Sequence, residues 1–170
     1  MSTIFHAFFR ILLLLIIELF LLRNIHFGPW LAPMIYPYLI FRMSVKTSAA
    51  NVMIAGFLIG LTIDLFLHSG GVNAFALTLA ASVRKPMLRF FLTPEEWDTN
   101  LNPGIYKPDI RRFISSAFLF LIIHQIGYQF MAGSFFGSPF RSIGYVLVGS
   151  FFSLLLFIAV EAATQKPKRR

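Results

Sequence analysis

Four ionisable side chains interrupt long apolar runs: Glu18, Asp64, His124 and Glu161. Arg23 lies near the end of the first run. Such groups are costly in hydrocarbon, so they pair, face a polar cavity or relay protons. At ~1.5 Å of helical rise per residue, Glu18 and His124 fall near the middle of their runs. Asp64 falls about 9 Å, and Arg23 about 8 Å, toward one common end. An Arg23–Asp64 ion pair is therefore one expectation. Glu161 sits near the opposite end, where a solvated helix terminus is expected. One Glu and one His at mid-depth make a thin proton relay, and hydrogen bonding between helices is the plainer expectation. Asp64 and His68 are four apart and would share a helix face if the helix runs that far. Two ligands make a weak metal site, and His6, His26, His68 and His124 are scattered along the chain. The sequence holds no His-Glu-x-x-His, no Gly-x-Ser-x-Gly and no phosphate-binding loop. An intramembrane hydrolase needs paired carboxylates or a nucleophile beside its base, and Glu18 and Asp64 differ in depth by roughly 9 Å. The reading is of a non-enzyme, with no catalytic, cofactor-binding or metal site.

The elements that carry these residues are membrane helices. Hydrophobic residues make up 57% of the 170-residue chain and charged residues 13%, against roughly 45–50% and about 25% in soluble domains. Mean hydropathy is +0.74. A soluble domain of this composition would expose large apolar patches. The 21 Phe exclude a disordered chain, and the absence of Cys excludes a disulfide scaffold. A net charge of +8 would suggest nucleic acid in a soluble protein. Here the basic residues cap apolar runs, which suits membrane topology and lipid headgroups instead.

Six apolar segments follow one another: about Phe8–Phe27, Trp30–Phe41, Ala49–Leu67, Val72–Val83 with a possible extension through Leu92, Phe113–Met131 and Ile143–Ala163. The expectation is an all-α integral membrane protein, residues 1–170 as one bundle of six transmembrane helices, the second and fourth short or kinked. The first segment reads as an uncleaved span, since no small-x-small cleavage site follows it. Six crossings place both termini on one side. They put 13 basic residues inside, from Arg10 to the basic tail at 164–170, and leave only Arg23 and Arg141 outside. That side is then cytoplasmic. Dropping the second segment destroys this alternation. Its Pro33 and Pro37 break helix hydrogen bonds. A kinked span shielded by neighbours is the plain expectation, and a broken helix lining a cavity the sharper one. Residues 93–112 form a cytoplasmic loop. Within it Thr93-Pro94-Glu95-Glu96 starts a short interfacial helix anchored by Trp97, and Asn102-Pro103-Gly104 makes a turn.

The third segment carries Gly56-x-x-x-Gly60, a spacing that lets helices approach closely. Asp64 follows, and then the small-residue turn Ser69-Gly70-Gly71, which lets the chain reverse. Asp64 is placed to accept hydrogen bonds from backbone donors at the start of the next helix, and Asn73 to cap that helix. The third and fourth segments should thus form a fixed hairpin.

The run from Gly56 to Phe66, continuing Ser69-Gly70-Gly71-Val72-Asn73-Ala74, resembles the rod shape-determining protein MreD family. Tyr36-Pro37 resembles the Tyr-Pro element that precedes this motif there. The match covers about Pro33–Ser82; elsewhere only length and hydropathy agree. His68-Ser69-Gly70-Gly71 departs from many relatives, which have a Pro in this turn. The resemblance implies an architecture similar to the six-helix substrate-binding subunits of energy-coupling-factor transporters. It makes Gly56, Gly60, Asp64, Gly71 and Asn73 the motif residues. It implies a non-enzymatic scaffold of cell-wall elongation in the bacterial inner membrane. The implied partners are an MreC-like bitopic protein, RodA and a penicillin-binding synthase, and MreB, with membrane lipids around them and no nucleic acid. The alternative is a substrate-binding subunit of a vitamin-type uptake transporter.

Overall fold

The computed structural model describes residues 13–22, 33–98, 103 and 109–164. Residues 13–16 are α-helical and lead into a wider π-helical stretch, α1 (Ile17–Leu22). Then come α2 (Pro37–Phe41), α3 (Ala49–Leu67), α4 (Val72–Phe91), α5 (Pro94–Asp98), α6 (Ile110–Met131), α7 (Ser134–Gly137) and α8 (Pro139–Thr164). The described residues contain helices and no strands.

Among the described residues three helices are long and apolar enough to cross a membrane: α3, α6 and α8. The chain is a helical membrane protein. The described residues do not present six such helices. At 20 residues α4 has the length, about 30 Å, but its last eight residues hold Arg84, Lys85 and Arg89. The outer reach of the first segment lies outside the described residues. Of the second segment, the described residues are regular only over α2, five residues or about 7.5 Å, so the segment is broken where a kinked helix was expected.

The bundle is built in a row. α3 packs on α4, α4 on α6 and α6 on α8, with α2 lodged against α3, α4 and α6. Ser48 caps α3, its side chain accepting from the Asn51 N–H. Thr93 and Glu96 cap α5 reciprocally, the Thr93 N–H donating to Glu96 at 2.8 Å and the Glu96 N–H to Thr93 at 3.3 Å. The short helix expected there is present, with Arg89 stacked on the Trp97 ring. The tip Asn102–Gly104 and the tail beyond Thr164 lie almost wholly outside the described residues, Pro103 excepted.

The core gathers around α2. Phe41 meets Phe113, Phe120 and Phe157 with ring centroids 5.5–6.0 Å apart. Tyr38 meets Phe157 edge-on at 5.2 Å. The outward faces are apolar as well: Ile54, Phe57, Leu58, Leu65 and Phe66 on α3, and Ile143, Leu147, Phe151 and Leu155 on α8. Apolar faces pointing away from a packed core are what a lipid solvent requires.

Candidate functional site

The α3–α4 hairpin closes because glycines let its backbones touch. A Cβ on Gly60 would stand 2.5 Å from the Ala74 Cα and 2.6 Å from the Asn73 carbonyl oxygen. Gly56 is the looser contact, 3.2 Å from the Leu77 carbonyl oxygen. The Gly-x-x-x-Gly spacing therefore serves a contact within the chain. α3 ends when His68 turns left-handed (φ 52°), and Gly70 and Gly71 complete the reversal at φ 65° and 92°. The helix does not continue through His68, so Asp64 and His68 do not form a ligand pair on one face. Among the described residues no cluster suits a metal ion.

Asp64 is buried and its carboxylate is surrounded by donors. Oδ1 accepts from the Ser69 hydroxyl at 2.5 Å, the Asn73 N–H at 3.0 Å and the Asn73 side-chain amide at 2.8 Å. Oδ2 accepts from the Ala74 N–H at 2.7 Å. These four donors match the roughly four acceptor sites of an ionised carboxylate. The backbone donors at the start of α4 are thus satisfied by the preceding helix. Asn73 was expected to cap α4 and does not. Gly71 holds the N-cap position without a side-chain bond, and Asp64 supplies the acceptor. Asn73 instead links Asp64 to the core.

That link runs further. The Asn73 amide nitrogen faces Asp64, so its oxygen faces Tyr36, whose hydroxyl donates to it at 2.9 Å. With its one proton committed, the Tyr36 oxygen accepts from His124 Nε2 at 2.8 Å. On that assignment His124, which is wholly buried, carries its ring hydrogen on Nε2. Its Nδ1 has no hydrogen-bond partner among the described residues. The result is a one-directional chain from His124 through Tyr36 and Asn73 to Asp64, joining α6, the approach to α2, α4 and α3. An amide in the middle makes it a poor path for protons and a good tie between helices.

The second segment is held at both ends. Pro33 to Tyr36 is not helical, so its backbone donors need outside partners. Glu18 accepts from the Ile35 N–H at 2.7 Å, and Ser153 of α8 accepts from the Met34 N–H at 2.9 Å. At the other end Arg84 of α4 donates through Nε and Nη2 to the Phe41 carbonyl at 3.2 and 3.0 Å, and through Nη2 to the Met43 carbonyl. Glu161 pairs with Arg42 at 2.9 Å and accepts from the Tyr38 hydroxyl. Two sequence readings are corrected here. Arg84, one of the 13 basic residues read as inside and placed in the connection between the fourth and fifth segments, lies inside α4 and is buried. Glu161 is fully buried rather than a solvated helix end. Both follow from α2, whose unpaired polar groups need charged partners brought inward.

Of the residues singled out in sequence, Gly56, Gly60, Asp64, Gly71, Asn73 and His124 meet in or beside one polar chain. Glu18 joins the neighbouring tie at Ile35. Arg23, and with it the Arg23–Asp64 pair, lies outside the described residues. Tyr36, Ser69, Tyr38, Arg84 and Ser153 were not foreseen as polar partners. Arg84 had a legible signal, since Asn73, Leu77, Ala80, Arg84 and Leu88 recur at helical spacing on one inward stripe of α4. No known family matches the chain, and neither a curated protein nor a solved structure does.

Proposed function

We propose that the chain is a non-enzymatic membrane scaffold of the MreD type, maintaining rod shape within the cell-wall elongation machinery. In this reading it lies in the bacterial inner membrane and crosses it six times, with both termini cytoplasmic. Its second crossing is broken and shielded by its neighbours. It holds an MreC-like bitopic protein beside RodA, a penicillin-binding synthase and MreB.

The observation that supports this is the state of Asp64. In the stretch that resembles the family, the one carboxylate accepts from four donors of its own hairpin, three on Oδ1 and one on Oδ2. A carboxylate so held is placed to position helices. The motif thus reads as architecture, as a scaffold requires.

The test is purification of the tagged full-length protein from native membranes in mild detergent, with partners identified by mass spectrometry. Recovery of an MreC-like protein with elongation synthases is expected, together with rounding of rod-shaped cells on depletion. Recovery of a transmembrane coupling protein with paired ATPases would replace the scaffold by the uptake subunit.

A further inference from the structure

A cavity of about 390 Å³ opens between α4 and α6, lined by Val83, Pro86, Met87, Phe90, Phe91, Leu119 and Ile123. Every lining residue is apolar, and Phe90 at its mouth is almost fully exposed. α4 and α6 run in opposite directions, so the cavity has a definite axis. It begins at the half-buried Val83 and Ile123, and runs toward Phe90 and Phe91 at the end of α4.

Beyond that end the surface changes character. Leu119 and Ile123 share a face of α6 with Arg112, which lies two turns or about 10 Å below Leu119. Arg111 flanks it and is exposed. Arg112 is half-exposed, and its bonds to Glu96 at 3.2 and 2.9 Å use Nη1 alone. A guanidinium carries five donors in a planar fork suited to phosphate. The last turn of α4 adds Arg89, which stacks on Trp97, to the same end. An apolar slot that opens at membrane depth and ends at cations matches one amphiphile: an acyl chain carrying an anionic head.

We propose that this groove is a site for an anionic phospholipid of the leaflet at the basic end of the bundle, its acyl chain between α4 and α6 and its phosphate on Arg112 and Arg111. The proposal rests on the membrane reading of the helices and not on the scaffold role. A transmembrane helix of another protein would fill the slot without needing the cations at its end.

The experiment is native mass spectrometry of the full-length protein in mild detergent with equal phosphatidylglycerol and phosphatidylcholine of identical chains. The wild type should retain phosphatidylglycerol in preference. Arg112→Gln and Arg111→Gln should each lower that preference about fivefold, as the typical ~1 kcal/mol per basic residue at an anionic surface implies. Leu119→Trp should reduce retention of both lipids by filling the groove. Val83→Trp fills it from α4 and serves if Leu119→Trp fails to fold. Equal retention of the two lipids by the wild type would overturn the proposal. So would undiminished retention by a folded groove-filling variant, or a photocrosslinker at Phe90 that captures protein in place of lipid.

Discussion

Replacing Gly60 by Ala adds one methyl group where two backbones meet. Its Cβ would fall 2.5 Å from the Ala74 Cα, 2.6 Å from the Asn73 oxygen and 2.7 Å from the Ala74 nitrogen. Carbon atoms rest at about 3.5–4.0 Å, so α4 must retreat by about 1 Å. No flexible side chain can yield in its place. Overpacking of this kind costs about 1–3 kcal/mol, while Ala regains up to about 1 kcal/mol of helix propensity. The retreat also carries away the Asn73 and Ala74 N–H groups, now 3.0 and 2.7 Å from Asp64. Hydrogen bonds to a charged group contribute about 1.5–3 kcal/mol each, and because the Asp64 side chain can follow part of the way the pair together forfeits about the worth of one. A net loss of about 2–4 kcal/mol follows. On the scale for domains of this size, 2–4 °C per kcal/mol, melting should fall by about 5–15 °C. Gly56→Ala is the control. Its Cβ would meet the Leu77 oxygen at 3.2 Å and the Ala81 Cβ at 3.3 Å, contacts relieved by a few tenths of an ångström. It should stay within about 1 kcal/mol of wild type. Thermal unfolding in detergent, followed by tryptophan fluorescence, measures both. The reasoning fails if Gly60→Ala melts at or above the wild type, or no lower than Gly56→Ala.

Asp64→Ala strands four donors and should cost more than Ser69→Ala, which removes only one of them; abundance in membranes and melting temperature should both fall in that order. Asp64→Asn keeps the shape but turns an NH₂ toward donors, so it should not restore wild-type melting. Tyr36→Phe leaves the Asn73 oxygen and His124 Nε2 unpaired, at about 1–3 kcal/mol each. A double-mutant cycle with His124→Leu should give a coupling above about 0.5 kcal/mol in thermal unfolding, and additivity would remove the bond between them. Arg84→Met fills similar volume but abandons the Phe41 and Met43 carbonyls. It should lower melting by more than Arg89→Met, which loses only a surface stack on Trp97.

The hairpin was legible because its parts are local. Gly56, Gly60, Asp64, the Ser69–Gly71 turn and Asn73 lie within one stretch of chain, and their spacing dictates close approach and reversal. The boundaries of α3 agree with the apolar run, since Ser48 caps one end and the His68 turn closes the other. The ties to α2 were not legible, because they join residues far apart in sequence. Tyr36 meets His124 across 88 positions, and Met34 meets Ser153 across 119. Glu161 was misread because nearness to the end of its apolar run suggested water. The spacing of Gly149, Ser153, Phe157 and Glu161 on the buried stripe of α8 was the better guide. Arg84 was misread for a related reason, since charge was given more weight than the inward stripe it shares with Ala80 and Leu88.

The buried polar groups divide by position along α4, and the division explains how a broken segment survives inside a membrane protein. Asn73 and Arg84 are eleven residues apart, about 16 Å along the helix axis. The first holds Tyr36 through its side-chain oxygen and the second holds the carbonyls of Phe41 and Met43. Between them α2 supplies only a turn and a half of helix, too little to satisfy its own ends. Acceptors from Glu18 and Ser153 meet the donors before it, and guanidinium donors meet the carbonyls after it, so each end finds groups of the polarity it lacks. Because Asp64 fixes the start of α4, it also fixes the height at which Arg84 stands. The hairpin and the broken segment are therefore one construction, with α4 as the rod that joins them. The α4 side of the α4–α6 groove is carried by the same rod, running from beside Arg84 at Val83 to Phe91.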